Sequence, residues 1–572
     1  MKRSKWITAA VMAVLLFGLM LSGCGSSTRE AGAPSATTSV VTAPSAGVNV
    51  CLNCHTLQSS AWVLSGHANT NSIPTYAQIS NPACIPCHDP LGDGKLTDYQ
   101  SPAVGCESCH GGGGLHWGSG PIAFTRIAAN STGSGQFNTC TSCHQLIGPD
   151  STQASPFHAG TAGRIINDTH FAAVVYNGSN VVVNDITGYA FDYLSDNPCA
   201  DCHNPHSADL SINREWAASG HANMTKDGPW AHYNWGLSSR ASCQRCHATS
   251  GLVAYASSII NSTTYTAPMA ADWRWKPEML KCNGCHTNNK GAVRNPGAVT
   301  ETYADNLTYT FPDISKSNLC MLCHTGRESG GSITASTANF SNASFINSHY
   351  LTAGGTVFTT TGYEFTGRDY TNPVAYKHDQ IGRTEAGTGS SGPCVGCHMS
   401  YVTEKHHFLP IAKVANVITE IKSTVCSVCH VGGSALTANL LQRETAYLAN
   451  AAAALDMELQ NRGYFFFNAH PYFFKAAGGT GGAVKNWLTA GAAVTGKNNM
   501  GAAFNYNLIE HDPGAFAHNS YYVKRLIYDS IDWLDNNALD NSVNATLLNA
   551  SHTGKAWQTD AQSYILVGGG RP

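Results

Sequence analysis

At 572 residues the chain is long enough for several domains and a large buried core, yet only 12% of its residues are charged and glycine is abundant. A formal net charge of −3 leaves no basic footprint for nucleic acid, which is excluded as a partner. Few stretches keep a helical or strand period for long, so something besides regular secondary structure must fill part of the interior.

Lys2, Arg3 and Lys5 precede an apolar run over 6–21, the order of an export signal. The run ends in Leu21-Ser22-Gly23-Cys24, which resembles a bacterial lipoprotein cleavage box. That resemblance implies that 1–24 is a signal peptide, that Cys24 is lipidated, and that several acyl chains anchor the mature protein to a membrane. Ser26, where an aspartate would signal inner-membrane retention, favours the outer membrane. Residues 25–48 are mostly Gly, Ser, Thr, Ala and Pro, cannot bury enough surface to order themselves, and read as a flexible tether.

Cys51-Leu52-Asn53-Cys54-His55 is the first of ten C-x-x-C-H copies. The others are Cys84-Cys87-His88, Cys106-Cys109-His110, Cys140-Cys143-His144, Cys199-Cys202-His203, Cys243-Cys246-His247, Cys282-Cys285-His286, Cys320-Cys323-His324, Cys394-Cys397-His398 and Cys426-Cys429-His430. Two thiols three positions apart can each add to one vinyl group of a single haem, and the next histidine can ligate its iron. Twenty of the 21 cysteines fall in these copies and Cys24 is the remaining one, so no disulfide framework is left. A zinc site would need two such arms per metal and gives no reason for a histidine after every second cysteine. The reading is ten covalently bound haem c groups.

An internal duplication runs through the motifs. Trp62-x-x-Ser65-Gly66-His67-Ala68-Asn69 matches Trp216-x-x-Ser219-Gly220-His221-Ala222-Asn223, and three motifs follow each. His170-Phe171 then matches His349-Tyr350, Gly188-x-x-Phe191 matches Gly362-x-x-Phe365, and a fourth motif closes each half. The expected divisions are a first multihaem segment over 49–210 and a second over 211–432. The motifs at Cys51 and Cys426 lie outside the repeat and are the expected ends of a haem row.

Ten of the 25 histidines belong to motifs, and fifteen remain for the opposite faces of ten irons. A second histidine closes the iron and suits it to low-potential electron transfer, whereas an open position permits catalysis. The duplication singles out His67 with His221, His170 with His349, and His206 with His406. His116, His378, His470, His511 and His518 complete the set of candidate distal ligands.

Residues 433–572 carry no motif and read as a helical region that supplies distal histidines. Leu440, Leu441, Tyr447, Leu448, Leu455 and Leu459 predict a helix over 436–460. The Gly- and Ala-rich stretch 475–501 reads as loop. A second helix is expected after Asn519 as N-cap, with Val523, Leu526, Ile527, Ile531 and Leu534 as its apolar stripe.

With its ten motifs, the W-x-x-S-G-H-A segments, the stretch Gly392-Pro393-Cys394-Val395-Gly396-Cys397-His398-Met399 and the tail 501–519, the sequence resembles multihaem c-type cytochromes of metal-reducing bacteria, of the lipoprotein kind. The resemblance implies mostly irregular coil with short helices packed around a haem chain and few short strands. It also implies electron transfer at or across the outer membrane, with other cytochromes and a metal or mineral acceptor outside the cell as partners and self-assembly into filaments as a further arrangement. A reductase of a small oxyanion, of the nitrite or hydroxylamine type, is the alternative. The ammonia-forming nitrite enzymes place lysine after one second cysteine, where this chain has histidine in all ten copies. The expectation is therefore an electron carrier, not an enzyme, at the cell surface or on the periplasmic face.

Overall fold

A computed structural model describes residues 51, 54–65, 67–68, 104–110, 146–147, 166–167, 176–177, 180–181, 202–204, 206–207, 209–223, 225, 228–269, 278–288, 291–401, 403–489 and 495–572. The signal peptide, Cys24, the tether, the motifs at 84–88 and 140–144, Cys199, His116 and His170 lie outside them.

Short helices carry the motifs. Cys106–His110, Cys282–Cys285, Gly392–His398 and Cys426–Cys429 each make one or two turns. Side chains at i and i+3 share one helix face, so a single turn aims both sulfurs the same way. The histidine amide then closes the turn on the first cysteine's carbonyl, at 3.0 Å for His55 on Cys51, 2.8 Å for His286 on Cys282, 3.0 Å for His324 on Cys320 and 2.9 Å for His430 on Cys426.

Three longer helices separate the motifs: α1 (Thr56–Val63), α2 (Ser211–Ala217) and α3 (Thr249–Ile260). Trp216 of α2 is buried and donates its indole N–H to the Leu280 carbonyl at 2.8 Å, which seats α2 beside the Cys282 motif. The strands are short. Val299–Thr302 pairs antiparallel with Thr308–Phe311, and Ile411–Val414 with Val417–Ile421. The second hairpin turns through Ala415 and Asn416, both at positive φ, which suits the right-handed strand twist.

The main apolar core lies in the C-terminal region. There α4 (Ala438–Asn461), α5 (Thr495–Glu510), α6 (Ala515–Asn536) and α7 (Gln558–Ile565) pack together with Trp487 and Phe473. Thr437 caps α4 by accepting the Leu440 N–H at 3.1 Å, and Leu448, Leu455 and Leu459 are buried. The stripe Val523, Leu526, Ile527, Ile531 and Leu534 of α6 is buried throughout. Asn519 breaks the helical backbone inside α6 and its side chain accepts the Tyr522 N–H at 3.1 Å, so it caps the longer part while one extra turn, from Ala515, precedes it.

The stretch expected to be loop differs. It holds α5, which begins at Thr495. Its small residues serve close packing: a Cβ on Gly501 would lie 2.2 Å from the Tyr363 ring. Among the described residues no helix is long and apolar enough to cross a membrane.

Candidate haem centres

Six motif histidines face a second imidazole across nearly the same gap. The ring centres are 6.3 Å apart for His110 and His206, 5.9 Å for His247 and His349, and 6.2 Å for His286 and His406. They are 6.5 Å apart for His324 and His221, 6.4 Å for His398 and His518, and 6.3 Å for His430 and His378. This is too far for ring packing to be the reason. Two metal–imidazole bonds of about 2.0–2.1 Å, plus the two ring radii, place the centres about 6.3 Å apart. The pairs therefore fit an iron with two axial histidines. Among the described residues no group of three His, Cys, Asp or Glu is arranged around one ion, so two imidazoles are what each pair would offer a haem iron.

The rings are held in the tautomer that ligation needs. A backbone carbonyl accepts the Nδ1 proton of His247 (Pro229, 2.6 Å), His324 (Leu351, 3.0 Å), His398 (Phe408, 2.8 Å) and His378 (Ala517, 2.6 Å). Nε2 then keeps its lone pair for a metal. Burial also favours the neutral ring, with a facing histidine adding to it. It holds His221 down at about 4, beside His324, and His247 at about 3, beside His349. At His518 burial alone would lower the pKa, but the Asp512 carboxylate 2.9 Å from Nδ1 outweighs it and the pKa is raised.

Not every candidate meets a motif histidine. His511 is buried against Tyr350 and its Nε2 shares a 3.0 Å hydrogen bond with Asn468 Oδ1, so the nitrogen that would face an iron is engaged elsewhere. His470 is exposed and its ring lies 6.1 Å from Tyr472. His67 is half-buried just beyond α1. His232 also stands 6.3 Å from His247, set edge-on, but His349 is the nearer partner and the one the duplication repeats. His552 is buried against Glu458 at 2.5 Å.

A family model described as C-type polyheme cytochrome domain 2 matches residues 212–294. The C-type polyheme cytochrome OmcB of Geobacter sulfurreducens (strain ATCC 51573 / DSM 12127 / PCA) is 36% identical over 617 residues, spanning 90% of this chain and 80% of the relative. The chain belongs to the C-type polyhaem cytochromes. The protein of the same name from strain DL-1 / KN400 gives the same figures, and the C-type polyheme cytochrome OmcC of the first strain is 32% identical over the same shares. No solved structure matches.

As in a polyhaem cytochrome, the motifs lie against one another. The sulfurs of Cys51 and Cys106 are within hydrogen-bonding reach, as are those of Cys202 and Cys282, Cys246 and Cys323, and Cys320 and Cys394. Cys397 senses Cys426, and Cys320 senses Cys285. From the last motif of the first half onward, the described motifs thus form a connected series, 203–286–324–398–430, with 247 joined at 324. In the first half His206, three residues beyond a motif, reaches back to His110.

The haem c groups of this family, when bound, supply one-electron chemistry. The chain's residues would provide two sulfurs per group, a proximal imidazole and, at six sites, a second imidazole, with Nδ1 hydrogen-bonded at the motif histidines His247, His324 and His398 and at the facing histidines His378 and His518. The sequence did not disclose the carbonyls of Pro229, Leu351, Phe408 and Ala517, because any residue type offers a carbonyl.

Proposed function

We propose that the protein is an electron carrier with ten c-type haems, most of them bis-histidine, that moves electrons at or across the outer membrane toward an extracellular acceptor such as a metal oxide. The observation that supports this reading is the second imidazole that faces each of six motif histidines at 5.9–6.5 Å between ring centres. A second imidazole on each iron leaves no position for a substrate and suits the site to electron transfer. The neighbouring sulfurs support short hops between haem edges.

The shared arrangement of His110 with His206 and of His286 with His406 equates the two halves. Carried across the duplication, the pairs His221–His324 and His247–His349 assign His67 to His144 and His170 to His88. Lipidation at Cys24 would tether the carrier to the membrane, with other cytochromes as donor and acceptor partners and filament assembly as a further arrangement.

Two measurements test the reading. A haemochrome assay should give ten haems per chain, and reduced protein should bind little carbon monoxide. A stoichiometric carbon-monoxide-binding fraction would favour a reductase of a small oxyanion instead. Replacing Cys24 by Ser should release the protein from membranes, and full membrane retention would refute the anchor.

A further inference from the structure

Asp512 is one of the most deeply buried carboxylates in the molecule, 1% exposed, at the turn that leads into α6. Its two oxygens do different things. Oδ1 accepts the Gly514 N–H at 3.2 Å and closes the local turn. Oδ2 lies 2.9 Å from His518 Nδ1 and also accepts the Thr356 hydroxyl at 3.3 Å. The turn alone needs only the first oxygen.

Four other histidines of the pairs are held differently. His247, His324, His398 and His378 give Nδ1 to neutral carbonyls. Glu215 is the nearest comparison, but its Oε2 stands 3.7 Å from His406 Nδ1 and both its oxygens already accept the backbone N–H groups of Glu404 and His406, at 3.1 Å each.

A carboxylate that accepts the Nδ1 proton draws it away from the ring and makes the imidazole a stronger donor to metal. A stronger donor stabilises ferric over ferrous iron. We propose that Asp512 is a positioning residue that makes the haem held by His398 and His518 lower in potential than the haems of His247, His324 and His430, whose pairs rest on neutral carbonyls. This rests on the bis-histidine reading of that site. The site lies between two others, through the Cys320–Cys394 and Cys397–Cys426 neighbours. Asp512 thereby places an uphill step in that series, because an electron must climb to this iron from a neighbour of higher potential.

The test uses the full haem-loaded protein. Asp512→Asn keeps size and an acceptor oxygen but removes the charge. In a potentiometric titration followed by visible absorbance, one low-potential component, about one haem's worth, should move up. Thr356→Val removes the competing donor on Oδ2, and the same component should move down. Opposite shifts from two near-isosteric changes are not expected of a merely structural role. The proposal is overturned if neither variant moves such a component, if both move it the same way, or if the two variants move different components. Haem content and the low-spin spectrum, read on the same samples, report the bis-histidine reading separately: their loss in unsubstituted protein would sink that reading, whereas intact spectra with unmoved potentials would sink this one.

Discussion

The carbonyl of Ala517 accepts the Nδ1 proton of His378 at 2.6 Å, one residue before His518, which faces His398. One short segment of the C-terminal region thus serves two neighbouring sites, orienting the ligand of one and supplying the ligand of the other. The same segment reaches a third, since the His511 carbonyl accepts the Leu351 N–H at 2.9 Å and Leu351 in turn accepts from His324.

Replacing His378 by Ala should open the iron held by His430. The expected result is one additional carbon-monoxide-binding haem per chain in reduced protein, with the total haem content unchanged. Carbon monoxide titration of the variant against the parent checks this, and no gain in binding would remove His378 from the ligand set.

Glu301 is fully buried and pairs with Arg245, which sits between the two cysteines of the Cys243 motif, at 2.9 Å. Arg245→Met leaves that carboxylate without its partner and should destabilise the fold by about 3–5 kcal/mol. Adding Glu301→Gln should recover part of the loss. Denaturant unfolding of the single and double variants measures both effects.

His511 makes stability depend on acid. Burial holds its pKa at about 4 in the folded chain, below the value of about 6.5 expected when unfolded. Between those values the unfolded chain binds a proton that the folded chain does not, so stability falls as pH drops from about 6.5 toward 4 and is unaffected above. His511→Phe should flatten this fall. Urea midpoints across that window decide it, and parallel curves for variant and parent would falsify the assignment.

Trp487 is fully buried and its indole N–H donates to the Ala343 carbonyl at 3.0 Å, joining the C-terminal core to the 340s of the second haem half. Trp487→Ala should cost about 3–5 kcal/mol. Chemical denaturation gives the number, and a change under 1 kcal/mol, about the scale of an exposed site, would show that the join carries little.

The sequence made the cofactor legible because C-x-x-C-H is a local covalent requirement, readable from five residues. The helical stripe of α6 was legible for the same reason: its period lies within one element. The pairing of histidines was not, because the partners are far apart in the chain and packing alone decides which meet. His511 shows the limit, since a histidine near the motifs by composition turned its Nε2 to Asn468. The Gly and Ala of α5 were misread as loop because small residues also mark close approach, as Gly501 does under Tyr363. Asp512 carries no pattern of its own, and its importance exists only once His518 is folded beside it.

The proposed axial pairs would also act on the chain as cross-links. His221 with His324, His247 with His349, and His286 with His406 each enclose about a hundred residues, and an iron bound by both members closes such a loop as a disulfide would. The three loops overlap. A backbone cut near the exposed Asn295 falls inside all of them, so the two pieces stay pinned by three irons and their route for electrons survives the break. With those irons in place the second half would be a net rather than a string, and a single cut there should leave the assembly joined.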